Sequence, residues 1–331
     1  MVCYEYIREN KTFKHYPKND IVINNLFIFS VSLFLVIKGA TIATVYAARL
    51  AEGFRLSKYA VGFIIVAVIS ILPETLISIN AAVEGIPSFG LATLFGSNVA
   101  DLTLVFAAVV FMAGRRLKVE GKIISHHRAY PLLLLLPLVL GLDGHYSRLE
   151  GVALIIAGGA FYYLALRNGS ADRTVPENGS NHRFKNFILL LAGMALLLAG
   201  SHFTVTSAVA LAQAAGVNPV LIGMLIVGLG TTMPELFFSL KSVRMKDDSL
   251  AVGDILGTVL ADGTVVVGVL ALISPFSFPP RIVYLTGGFM VIASFILLHF
   301  MRTGRSLSKR EAYALCAFWL AFVIVEFLAN R

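Results

Sequence analysis

Apolar residues recur in runs long enough to cross a hydrocarbon layer, separated by short polar connections, along the whole 331-residue chain. Ten such runs are read, at 21–50, 60–84, 88–114, 129–143, 149–166, 185–214, 219–241, 249–274, 282–301 and 311–329. Lipid offers no partner to a backbone N–H or C=O, so each run must satisfy its own backbone as a helix. The pattern therefore predicts an all-α integral membrane protein with ten transmembrane helices. The fourth run is the shortest and is interrupted by Pro131 and Pro137. Residues 1–20 form a polar tail with Arg8, Lys11, Lys14 and Lys18, and the run after it extends past signal-peptide length without a cleavage site, so it is kept as the first helix. Composition agrees: 57% of residues are hydrophobic and 14% charged, where a soluble domain carries about 25% charged residues.

The polar positions repeat. A shift of 161 residues lays Gly62 on Gly223, Pro73 on Pro234, Glu74 on Glu235, Ser78 on Ser239, Gly96 on Gly257, Ala100 on Ala261, Asp101 on Asp262 and Thr103 on Thr264. Chance matches between apolar runs pair Leu with Leu, whereas these pair acids, which membranes tolerate least. Each copy holds five helices, an odd number, so the second copy enters the membrane from the opposite side. That is an inverted repeat, an arrangement that in transporters frames a central site. The expected organisation is a first five-helix repeat at 21–166, a linker at 167–184 and a second repeat at 185–331.

The net charge is +8, yet the basic residues are scattered through short loops, so membrane lipid and not nucleic acid is the expected partner. Loops after the odd-numbered helices, with flanking Arg49, Lys185 and Lys241 included, hold 3, 5, 4, 3 and 4 Lys or Arg; those after the even-numbered helices hold 0, 1, 0 and 1. The positive-inside rule then puts the odd-numbered loops and the linker in the cytoplasm and both termini outside it, with the cell membrane as the expected location. Cys3 and Cys316 lie at opposite ends and give no metal-type cluster. No protein partner is evident, and no enzyme cofactor is expected.

Glu74 and Glu235 each follow a proline in mid-span, where the missing N–H can free carbonyls upstream. In the following helix of each copy a hydroxyl precedes a carboxylate by four residues on one face: Ser97 before Asp101, and Thr258 before Asp262. Four mid-membrane carboxylates would each cost about 3 kcal/mol on insertion scales. No matching Lys or Arg lies in these segments to offset that, and oxygen donors without Cys or His suit hard cations such as Ca²⁺ and Na⁺.

Leu229-Gly230-Thr231-Thr232-Met233-Pro234-Glu235 and Gly96-Ser97-Asn98-Val99-Ala100-Asp101 resemble the two signatures of the sodium/calcium exchangers, within the calcium/cation antiporter superfamily. The resemblance implies a central site in which Glu74 and Glu235 hold Ca²⁺ or Na⁺. It further implies carbonyl ligands from Ala67, Ser70, Gly228 and Thr231, hydroxyl ligands from Ser70, Ser97, Thr231, Thr232 and Thr258, and Asp101 and Asp262 completing the centre. Several positions depart from the family. Ile71 replaces a hydroxyl residue, Asp101 stands where many members have Asn, Thr93 and Asp254 occupy a position often filled by Asn, and Val259 replaces the second Asn of Gly-Ser-Asn.

The implied activity is antiport that exports Ca²⁺ in exchange for Na⁺. Ca²⁺/H⁺ exchange and K⁺-dependent Na⁺/Ca²⁺ exchange are the alternatives, and the extra acid favours a proton. Four ionised carboxylates give −4 against +2 from one Ca²⁺, so at least one proton is expected to stay in the cluster, on Asp101 or Asp262. An intramembrane aspartyl protease would need Tyr-Asp and Gly-x-Gly-Asp, absent here in convincing form, and occluded acids fit a passive channel poorly. Asp254 is a candidate fifth site carboxylate, although its place near the start of the eighth helix favours an interaction with that helix end. His202 is a candidate proton carrier, although a lone His is read first as a packing residue.

Overall fold

The structure is a computed structural model that describes residues 18–52, 67–119, 130–168, 183–216, 227–244, 246 and 248–329. Helix occupies each of the ten expected spans, in two sets of five, which is the all-α architecture of ten helices in two inverted repeats. The first set is α1 (Lys18–Glu52), the broken pair α2 (Ala67–Ser70) and α3 (Leu72–Val83), α4 (Pro87–Ala100), which passes through a π-turn at Asp101–Val105 into α5 (Phe106–Ala113), α6 (Tyr130–Leu140) and α7 (Arg148–Asn168). The second is α8 (Arg183–Ala215), the broken pair α9 (Gly228–Thr231) and α10 (Met233–Arg244), and α11 (Asp248–Ala261), which continues through a π-turn at Asp262–Val266 into α12 (Val267–Ile273). A π-segment at Ile282–Gly287 then leads into α13 (Gly288–Gly304), and α14 (Lys309–Ala329) ends the set.

The 161-residue shift reproduces boundaries as well as residue types. It carries α2 onto α9, α3 onto α10, α4 onto α11, the first π-turn onto the second, and α7 onto α14, without a residue of slippage. Both α7 and α14 begin with the same capping box. Ser147 N–H and Oγ donate to Glu150 Oε2 at 2.7 and 2.8 Å, and Ser308 N–H and Oγ donate to Glu311 Oε2 at 2.6 and 2.7 Å. Each box satisfies N-terminal donors that would otherwise lie orphaned near lipid.

Some expected boundaries move. The first helix starts at Lys18, inside the stretch read as polar tail, and α7 and α8 each reach into the stretch read as linker, to Asn168 and from Arg183; residues 1–17 and 169–182 lie outside the described residues. The fourth helix stops at Leu140, shorter than expected, because its C-terminal side turns through Gly141 and Gly144. Among the described residues five helices are long and apolar enough to span by themselves. The described parts of the second and seventh spans are divided at Ile71 and Thr232.

Burial sorts the helices into a core and a lipid-facing shell. In the third and eighth spans 83% of the apolar window is buried, against 22% in the first and tenth. Every residue from Phe89 to Ala100 and from Ala251 to Ala261 is buried, as expected of helices that are apolar all round and sit at the centre. The outer face of α14 shows Tyr313, Leu320, Ile324 and Leu328, which suits lipid as solvent. Close approach comes from glycine: a Cβ on Gly151 would meet the Gly268 carbonyl at 2.7 Å, and one on Gly268 would meet the Gly151 carbonyl at 2.6 Å, so α7 and α12 cross backbone to backbone. Two short antiparallel ladders, absent from the sequence reading, tie the halves together: Leu117–Lys118 with Ser306–Leu307, and His145–Tyr146 with Phe276–Ser277.

Candidate functional site

The broken pairs place the glutamates. Ile71 and Thr232, 161 residues apart, both mark the break within the right-handed helical region, with ψ drawn toward zero at φ and ψ of −71° and −8° and of −73° and −5°. The break follows from Pro73 and Pro234, which have no N–H to continue the ladder. Helical bonding resumes one residue later, as Thr75 N–H donates to the Ile71 carbonyl (2.8 Å) and Leu236 N–H to that of Thr232 (3.0 Å). Glu74 and Glu235 thus open the first turn of α3 and α10 at the centre of the molecule, and both are fully buried. In the neighbouring spans Asp101 and Asp262 begin the two π-turns, a distortion often found at functional positions, and both are also fully buried.

α2 packs on α11 and α9 on α4, so each broken helix of one half crosses the third helix of the other. The carboxylates come within electrostatic reach of one another: Asp101 feels Glu74 and Asp254, Asp262 feels Glu74 and Asp101, and Glu235 feels Glu74, Asp101 and Asp254. Both oxygens of Glu74, Asp101, Glu235 and Asp262 are buried without a hydrogen-bond partner. In an apolar interior a partnerless carboxylate is too costly to persist as structure alone, so a cationic species is the natural complement. Among the described residues no three Asp, Glu, His or Cys side chains converge as a metal seat, so any cation here must also draw on neutral oxygens.

Those oxygens differ in availability. The Thr258 hydroxyl is buried and unpartnered. Ser97 Oγ donates to the Leu94 carbonyl (3.0 Å), Thr231 Oγ1 to Gly228 (2.9 Å) and Thr232 Oγ1 to Leu229 (3.0 Å), which spends their hydrogens locally and leaves oxygen lone pairs free. The Ala67 carbonyl takes one donor, Ile71 N–H at 3.0 Å; the Gly228 carbonyl takes two, Thr232 N–H at 3.2 Å and the Thr231 hydroxyl. Of this pair among the four expected carbonyl ligands, Ala67 is therefore the freer.

Of the two readings of Asp254, the structure favours the site carboxylate over the helix-end interaction. The residue lies within α11, fully buried, and accepts a hydrogen bond from Ser70 Oγ of the first half at 3.2 Å, so it belongs to the central cluster and not to a helix end. Its mate under the 161-residue shift, Thr93, donates to the Phe89 carbonyl of its own helix (2.9 Å). The signal in the sequence is an acid eight residues before Asp262 on the same helix, weakened by its nearness to the helix start. His202 is exposed, with its ring against Phe203, and is not a buried packing residue.

The pseudo-twofold relation is visible at one contact. Asn98 Nδ2 donates to the carbonyl of Val259 at 3.3 Å, and these two residues are 161 apart, so they meet on the axis relating the halves. Tyr130 donates to the Leu256 carbonyl at 2.8 Å and Tyr162 to that of Gly257, which anchors α11 beside Thr258. At one end of the bundle Arg115 grips Asp248 through two bonds of 2.6 Å, with Lys118 N–H adding a third at 2.7 Å; the hydrogen-bonded carboxylate raises the pKa of the Arg115 guanidinium.

Comparison with known proteins agrees with this arrangement. The profile of the family described as "Sodium/calcium exchanger protein" matches residues 24–167 and 185–328, one stretch in each half. The putative antiporter CaxA of Alkalimonas amylolytica is 29% identical over 77% of this chain and 82% of its own length. The sodium/calcium exchanger MaX1 of Methanosarcina acetivorans is 22% identical over 92% of this chain and 98% of its own. Among solved structures, the sodium-calcium exchanger NCX_Mj superposes with a TM-score of 0.69 at 23% identity over 92% of this chain and 99% of that one. The H⁺/Ca²⁺ exchanger CAX superposes at 0.76 with 17% identity, over 98% and 90% of the two chains.

Proposed function

From the premise that the chain belongs to the sodium/calcium exchanger family, in which it is a membrane transporter and not an enzyme, we propose that it exports Ca²⁺ in exchange for Na⁺ by alternating access. The observation that carries the reading is the set of buried, partnerless carboxylate oxygens on Glu74, Glu235, Asp101 and Asp262, at positions duplicated by one shift. Glu74 and Glu235 hold Ca²⁺, with neutral oxygens from Ala67, Ser70, Ser97, Gly228, Thr231, Thr232 and Thr258 completing the shell that a 6- to 8-coordinate ion of about 2.4 Å bond length requires. Na⁺ competes for the same oxygens, so the two ions take turns and are carried in opposite directions. The repeats at 21–166 and 185–331 rock against each other across the linker at 167–184, with the linker cytoplasmic and both termini outside the cell membrane.

A second reading, Ca²⁺/H⁺ exchange, is favoured by the acid surplus that Asp101 and Asp254 create. One experiment separates the two. Purified protein reconstituted in vesicles is assayed for radiolabelled Ca²⁺ uptake driven by a Na⁺ gradient, and separately by a proton gradient with Na⁺ absent. Uptake that follows the Na⁺ gradient is expected; uptake driven by protons alone would replace the first reading with the second.

A further inference from the structure

We propose that Asp254, hydrogen-bonded across the two halves by Ser70, ligates a monovalent cation in a seat distinct from the one shared by Glu74 and Glu235. The proposal rests on the reading of the centre as a cation site and adds to it a residue that the duplicated signatures do not predict.

Four observations converge. Asp254 is fully buried, and among the described residues no Lys, Arg or His forms an ion pair with it. Oδ1 accepts the Ser70 hydroxyl at 3.2 Å, a long bond for O–H···O⁻, which is usually about 2.5–2.7 Å. Oδ2 is buried with no partner at all. The position is also asymmetric, because the shift-related residue is Thr93, whose hydroxyl is spent within its own helix. Asp254 is therefore not the leftover of a duplicated calcium ligand, and nothing in the fold of α11 requires an acid there.

The donor set sets the ion's charge. The donors joined at this point are one carboxylate and one neutral serine hydroxyl; Asp101 and Glu235 add negative potential from within electrostatic reach, but neither shares the Ser70 contact. One positive charge neutralises this pair, whereas a divalent ion would leave an excess and would call for more anionic oxygens. Ser70 ends α2, one residue before the break at Ile71, so the seat borders the Glu74 helix, with the Ser70 hydroxyl turned to Asp254 and the Ser70 carbonyl left for the calcium shell. An ion of Na⁺ character held between Ser70 and Asp254 bridges the first half to the second and so reports on their relative position.

The test is equilibrium binding of radiolabelled Na⁺ to the purified full-length protein in detergent, with choline as the replacement cation, for the parent and for Asp254→Asn. The expected result is that Asp254→Asn binds one Na⁺ fewer per chain. An unchanged Na⁺ count would overturn the proposal, leaving Asp254 occupied by a proton or by no ion. A loss of Ca²⁺ affinity as large as that of Glu74→Gln would also overturn it, since Asp254 would then belong to the calcium seat. Should Asp254→Asn not yield folded protein, Ser70→Ala decides: about tenfold weaker binding of one Na⁺ is expected from losing one hydrogen-bonding partner, and an unaltered Na⁺ isotherm would refute the seat. Parent protein that binds Na⁺ yet transports no Ca²⁺ would sink the exchange reading and leave the seat standing.

Discussion

Replacing Glu74 by Gln removes one negative charge from the centre while nearly conserving volume, and the surroundings of Glu74 determine how much that costs. The side chain is fully buried and neither carboxylate oxygen meets a partner within hydrogen-bond geometry, with the Thr231 hydroxyl close by, so little neighbouring bonding is lost when the charge disappears. The empty form of Glu74→Gln should be at least as stable as the parent, because an amide is cheaper to bury than a carboxylate. With Ca²⁺ present the balance reverses. Removing one member of a buried, desolvated charge pair costs about 2–5 kcal/mol, which is about 30-fold to several thousandfold in Ca²⁺ affinity. Because a ligand stabilises by RT ln(1 + [L]/Kd), a Ca²⁺ concentration about 1,000 times the parent Kd gives the parent about 4 kcal/mol. The variant should receive between almost none of this and about half. Thermal unfolding of purified protein with and without Ca²⁺ reads the difference directly, and radiolabelled Ca²⁺ uptake should fall to background in parallel. A variant that unfolds early in both conditions would show that Glu74 is structural. One that keeps the full Ca²⁺-dependent rise would remove Glu74 from the site.

Three further outcomes follow from particular contacts. Asp101→Asn should retain Ca²⁺ exchange and be less inhibited at acid pH than the parent, because one acid fewer competes for protons; complete loss of uptake would mean that its negative charge is needed. Gly268→Val should lower stability by about 1–3 kcal/mol through overpacking at the α7–α12 crossing, whereas Gly159→Ala, with nothing within 4 Å of its added Cβ, should leave the melting temperature near that of the parent; equal melting temperatures for the two would contradict the crossing. Asp248→Asn should cost about 1 kcal/mol, discounted because the Arg115 side chain is 38% exposed, and a double-mutant cycle with Arg115→Gln should return most of that value as coupling.

The duplication made most of the architecture legible, because acids at equal spacing are improbable in lipid-facing sequence. That one regularity located the broken helices, the third and eighth spans and the four symmetric carboxylates. Local features with clear signatures were passed over, notably Ser147-Arg148-Leu149-Glu150 and Ser308-Lys309-Arg310-Glu311, whose capping boxes fix the starts of α7 and α14. Asp254 stays ambiguous in the sequence for a physical reason: distance along a helix does not reveal which element crosses it, and only the packing of α2 on α11 brings Ser70 to the acid. The ladders were invisible because two residues of strand carry no periodicity.

The Arg115–Asp248 pair has no counterpart at the opposite end. Under the 161-residue shift Arg115 corresponds to Phe276 and Asp248 to Pro87, neither of which carries charge. The near-repeat is thus broken electrostatically as well as at Asp254: one end of the bundle carries a charge-assisted tie between the two halves, exposed enough for salt to screen it, and the equivalent positions at the other end carry no charge to tie.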